Sequence, residues 1–99
     1  MMLQGVGKPS GCKLIRFTAV LEGQVIKEIQ IRGDFFAIPE EVFEALEASL
    51  CGTSLDALEE RFAQLARELD LALQGISGSG LAELVQTAYR EGQTNNDTM

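Results

Sequence analysis

The stretch KLIRFTAVLEGQVIKEIQIRGDFFAIPEE, residues 13–41, sets the fold. Ile15, Phe17, Ala19 and Leu21 take every second position between Arg16, Thr18, Val20 and Glu22. That is the period of a half-buried strand. Glu22-Gly23-Gln24 is a tight turn, and Val25, Ile29 and Ile31 continue the alternation, with Lys27 interrupting the apolar face. The pattern is that of an antiparallel β-hairpin. With its turn centred on Gly23, Lys13 comes to face Gly33. Lys13, Arg32 and Asp34 then share one end of the sheet with Phe35 and Phe36.

Beyond the hairpin the period changes from two to that of a helix. Pro39 suits a first helical position, and Glu40 and Glu41 suit the positive end of the dipole. Val42, Phe43, Leu46 and Leu50 fall on one face, and Gly52 is a natural stop. Thr53-x-x-Asp56 resembles a capping box with Asp in place of Glu or Gln. Leu55, Leu58, Phe62, Leu65 and Leu69 follow at helical spacing. LDLALQG, residues 69–75, alternates and reads as a short third strand. Ser77 is placed to cap a last helix whose stripe is Leu81, Leu84, Val85, Ala88 and Tyr89, ending at Gly92.

The order β-β-α-α-(β)-α predicts an α+β fold. It is a two-layer domain over residues 11–92, the hairpin and short third strand packed against about three helices. Residues 1–10, MMLQGVGKPS, lack periodicity and read as a flexible lead-in. Residues 93–99, QTNNDTM, read as a polar tail with no reason to fold.

Composition narrows the function. A chain of 99 residues has one modest core and little room for a deep private pocket. It has no histidine, the commonest general base and metal ligand. A net charge of −7 argues against nucleic acid. The charge is uneven: residues 1–33 hold five cations against two carboxylates, residues 34–99 three against thirteen. A basic N-terminal end could therefore meet an anion while acidic helices stay in water. Two cysteines make neither a disulfide framework nor a ligand set, so a cytoplasmic chain with reduced thiols is expected, with no metal and no membrane span. Cys51, at a helix end, reads as packing. Cys12 reads as a loop thiol beside Lys13.

Adjacent residues of an extended segment point opposite ways, so Phe35 and Phe36 are expected to divide between core and surface. Asp34 has two readings: acceptor of turn hydrogen bonds, or ion-pair partner of Lys13. The tripeptide Arg32-Gly33-Asp34 matches an adhesion sequence, but that function needs an exposed loop tip, and this copy ends a strand.

The run from Gly11-Cys12-Lys13 through the hairpin to Gly33-Asp34-Phe35-Phe36 and Pro39-Glu40-Glu41 resembles the C-terminal accessory domain of lipoate–protein ligases. QGIS, residues 74–77, before the last helix adds to the likeness. The resemblance covers about residues 11–88, and block 33–36 with Pro39-Glu40-Glu41 is its specific part. It implies an accessory subunit, inactive alone, that a large catalytic subunit needs to activate lipoate as lipoyl-adenylate. ATP, Mg and lipoate are implied only in that complex, and a lipoyl-accepting domain is an indirect partner. A start at Met1 just ahead of the match fits the separate-subunit arrangement. Lys13 is the implied adenylate-proximal residue, and Arg32, Gly33, Asp34, Phe35 and Phe36 the implied partner-binding or site-edge residues. Cys12 departs from the family's second glycine, and Ser77-Gly78-Ser79-Gly80 from its usual helix start. The alternative is a small scaffold or interaction module related to iron–sulfur scaffold folds, for which two cysteines do not supply a four-ligand site.

Overall fold

The computed structural model describes residues 1–98, with side chains through residue 92. In chain order its elements are β1 (Met2–Gly7), β2 (Ile15–Glu22), β3 (Val25–Gly33), β4 (Phe36–Ile38), α1 (Glu40–Ser49), α2 (Leu58–Glu68), β5 (Ala72–Gln74) and α3 (Gly78–Thr98). A 3₁₀ turn at Leu55–Ala57 leads into α2. The architecture is α+β. An antiparallel sheet in the order β1-β2-β3 packs one face on the helices, and β4-β5 forms a separate two-stranded sheet.

The alternation predicted for β2 holds, with Ile15, Phe17, Ala19 and Leu21 all buried. In β3 the inward residues are Ile26, Ile29 and Ile31, while Val25 is exposed. Ile26 and Ile29 are three apart, so both face inward only because a bulge shifts the register opposite Val20 and Leu21. With the two-residue turn Gly23-Gln24 between Glu22 and Val25 and this bulge together, Gly33 faces Ile15, not Lys13. Helix burial follows the predicted stripes: Phe43, Leu46 and Leu50 from α1 and its end, Leu58, Phe62 and Leu65 from α2, Leu81 and Val85 from α3.

Several expectations are corrected. Residues 1–10 are not a flexible lead-in: β1 pairs along β2 from Met2↔Val20 to Gly7↔Ile15 and buries Leu3. The missing periodicity has a cause, since a Cβ on Gly5 would lie 2.8 Å from the Phe17 ring. Residues 72–74 are extended, as expected, but pair with β4 rather than the hairpin. Pro39 is the N-cap of α1, joined to Ile38 by a cis peptide, not its first residue. Thr53 makes no capping box; Ser54 precedes the 3₁₀ turn without a side-chain cap bond. Ser77 does cap α3, its Oγ accepting from the Gly80 N–H at 3.1 Å. That helix runs through Gly92 to Thr98, across the expected polar tail, while Met99 lies outside the described residues. One helical glycine costs only about 1 kcal/mol, and Gly92 lies against Met1 and Leu3.

The free edge of β3 is closed in two places. Near the hairpin tip, Ile26 exchanges backbone bonds with Thr53 and Gly52. Further along, Glu47 Oε2 accepts from the Ile31 N–H at 2.6 Å and from Arg32 Nη1 at 3.1 Å, while Arg32 Nη1 also donates to the Ile31 carbonyl. The pair occupies the position a fourth strand would fill. Its halves are unequal, for the Arg32 side chain is 63% exposed and that of Glu47 10%. Glu47→Ala removes the acceptor from a strand N–H and is expected to cost about 1–3 kcal/mol. Arg32→Ala loses a largely solvated partner, roughly 0–1 kcal/mol. Chemical denaturation of the two variants checks this order, and a larger loss for Arg32→Ala contradicts it.

Candidate functional site

One end of the three-stranded sheet gathers the exits of β1 and β3 and the entry to β2. The entry is built on a turn in which the Cys12 N–H bonds the Pro9 carbonyl at 2.9 Å, and Gly11 takes the left-handed conformation (φ 77°). Lys13 then donates its N–H to the Gly75 carbonyl at 2.8 Å. A Cβ on Gly75 would lie 2.6 Å from the Lys13 Cγ, so the lysine stem runs across that glycine while the residue stays exposed. Beside it is a depression of about 480 Å³ lined by Lys8, Gly11, Cys12, Lys13, Phe36, Gln74 and Gly75.

Gly33 brings the second part of the resemblance against this entry. At φ 150° its Cα hydrogen faces the Leu14 carbonyl oxygen, which a side chain would strike, and the Asp34 N–H bonds that oxygen at 2.9 Å. Asp34 thus acts through its backbone. The expected cluster of Lys13, Arg32 and Asp34 does not assemble: Arg32 turns to Glu47, and Lys13 and Asp34 form no ion pair. Gly33 stands two residues along β2 from the position opposite Lys13: the turn, with Glu22 paired to Val25 and two residues between, accounts for one step and the bulge for the other.

Phe35 and Phe36 divide as expected. Phe35 is half-buried with its ring 5.3 Å from that of Phe43. Phe36 is 64% exposed, and Ile38, on the same face by strand alternation, is 66% exposed. Their cross-strand partners Gln74 and Ala72 are also exposed, so among the described residues this face of the small sheet has no covering layer. Phe36 borders the lysine depression, which makes the apolar face and the cationic hollow one continuous surface.

The two cysteines exchange their expected roles. Cys51 is exposed, whereas Cys12 is buried with its Sγ 3.6 Å from Ser77 Oγ. A side chain on Gly80 would collide with that sulfur. The two departures from the family pattern therefore meet: Cys12 fills the space that the glycine at the start of α3 leaves open. Lys8, Ile38, Gln74 and Gly75 were missed by sequence reasoning. Only Ile38 carried a local signal, at strand spacing from Phe36. Among the described residues there is no group of three or more metal-ligating side chains and no helix long and apolar enough to cross a membrane.

No family model matches the chain. It is 45% identical over 47 residues to lipoate-protein ligase A subunit 2 of Thermoplasma acidophilum, a match covering 48% of this chain and 50% of that protein. The aligned segment thus spans about half the length of that relative. A solved chain from an archaeal lipoylation system of the same organism, a bi-partite lipoate protein ligase and its E2 lipoyl domain, superposes with a TM-score of 0.70 at 30% identity. That likeness takes in 84% of this chain and 92% of the other. With sequence identity and superposition in agreement, the chain belongs to the lipoate-protein ligase A subunit 2 family.

Proposed function

We propose that the chain is the accessory, non-catalytic subunit of a cytoplasmic two-subunit lipoate–protein ligase. It docks on a separate large subunit and is needed there to activate lipoate as lipoyl-adenylate. The supporting observation is the continuous surface of Phe36, Ile38 and the Lys8–Lys13 hollow. Two large apolar side chains stand in water beside two cations, in a chain whose net charge is −7. An aromatic flanked by charge is the composition of an interface anchor with a complementary rim.

The chemistry gives the cations a task. In adenylation the lipoate carboxylate attacks the α-phosphorus of ATP and pyrophosphate leaves. Negative charge grows on the phosphate oxygens, where a preplaced ammonium group stabilises the transition state more than the ground state. ATP, Mg and lipoate are held by the large subunit, and Lys13 is presented across the boundary. The lipoyl-accepting domain meets the complex only after activation.

The isolated chain is expected to form no adenylate. Adding it to the large subunit should produce ATP- and lipoate-dependent lipoylation of an acceptor domain, with the two subunits co-eluting as one complex. Adenylation by this chain alone, or no stimulation of a subunit that binds it, would overturn the proposal.

A further inference from the structure

The hollow holds a second cation that the resemblance did not assign. Lys8 follows β1 and Lys13 precedes β2, and because Gly7 pairs with Ile15 the two lysines enter the same end of the sheet from neighbouring strands. Both line the 480 Å³ depression, together with Gln74 and without an acidic residue. The other hollows along the helices differ. The one between Phe35 and α1 sets Glu40, Glu44 and Glu47 against Arg32, and the groove beside β3 sets Glu28, Glu44 and Glu47 against Lys27 and Arg32, so cations there face carboxylates. Lys8 also borders a smaller depression with Glu83 but makes no ion pair with it, and Lys13 makes none with Asp34.

Two lysines lining one hollow bring like charges to one place, and an anion bound there relieves their repulsion. A chain with fifteen carboxylates has ample means to neutralise them internally, yet among the described residues neither lysine forms an ion pair. The Lys13 stem packs across Gly75 at its Cβ and Cγ, so the root of one of the two side chains is positioned before a ligand arrives. A tetrahedral anion bridging two ammonium groups and a carboxamide N–H takes charge-assisted bonds from all three. We infer that Lys8 and Lys13 together form a seat for one phosphate group of a nucleotide or pyrophosphate. The seat deepens the proposed adenylation role and rests on it for the source of the anion, which the large subunit would deliver.

The test uses the whole chain without its partner and inorganic pyrophosphate as the probe, in an amide-resolved NMR titration at low salt. The expected shifts concentrate on Gly11, Cys12, Lys13, Gln74 and Gly75. Lys8→Gln and Lys13→Gln should each weaken binding about tenfold, the loss of one charge-assisted contact. Lys27→Gln, at the far hairpin tip where Lys27 pairs with Glu22 at 3.2 Å, should leave it unchanged. Shifts spread evenly over the surface cations, or an unchanged midpoint in Lys8→Gln, would overturn the seat. If pyrophosphate binds as described but the doubly substituted chain still supports adenylation at the normal rate, the seat stands and the adenylation role falls.

Discussion

Lys13→Ala is expected to leave folding and subunit binding intact while slowing lipoyl-adenylate formation by roughly 10²-fold, the usual effect of deleting one donor to a developing charge. The structure removes the main competing role for this side chain, since it forms no ion pair with Asp34. Its contacts are the backbone bond to the Gly75 carbonyl, which alanine keeps, and the stem packed over Gly75. An exposed lysine held in this way contributes little to stability, so an effect confined to one chemical step separates a transition-state contact from a structural one. Transfer of lipoate from preformed adenylate should be spared, because the phosphate departs as a leaving group already held by the large subunit. Rates of the two half-reactions in the reconstituted complex decide the matter, and equal losses in both contradict an adenylation-specific role.

The second large effect concerns the paired phenylalanines, whose alanine variants should fail in different ways. Phe36 is 64% exposed, so Phe36→Ala should hardly change thermal unfolding. If the face docks, that substitution should weaken binding to the large subunit by about 2 kcal/mol or more, as for a central aromatic anchor. Phe35→Ala removes a half-buried ring from its contact with Phe43. Its expected cost is about 2–3 kcal/mol of stability, below the ~3–5 kcal/mol of a fully buried ring. Denaturation and calorimetric titration of both variants give the comparison. Normal binding by Phe36→Ala would remove the docking role from this face.

Much of the fold was legible because it depends on local periodicity. The Ile15–Phe17–Ala19–Leu21 alternation and the helical stripes through Leu46, Phe62 and Leu81 each describe a face that must be buried. What was illegible depends on features a pattern does not carry. In β1 the inward position at Gly5 is empty so that the Phe17 ring fits there, and the strand shows a single buried Leu3 instead of an apolar row. The hairpin register could not be counted from the turn alone, because the bulge that admits both Ile26 and Ile29 displaces Gly33 relative to Lys13.

The candidate site divides along the same line. The opposite facing of Phe35 and Phe36 follows from strand geometry, and the structure bears it out. The neighbours of Lys13 do not follow from the hairpin. Gly75 and Gln74 arrive from β5, far along the chain, and Lys8 from a strand that the sequence did not show. Glu47 was hidden for another reason. It sits beside Leu46 at the edge of an apolar stripe and looks like one more solvated acid of α1, yet it closes the edge of β3.

The central claim is that this chain serves the activation step through its Lys13 end. It is tested most directly by single-turnover measurement of both half-reactions with the large subunit, in the presence and absence of the chain. The account predicts that lipoyl-adenylate formation from ATP and lipoate depends on the chain, while transfer from preformed lipoyl-adenylate to the acceptor domain proceeds without it. Adenylation at the same rate with and without the chain, or a requirement for it only in transfer, would contradict the account.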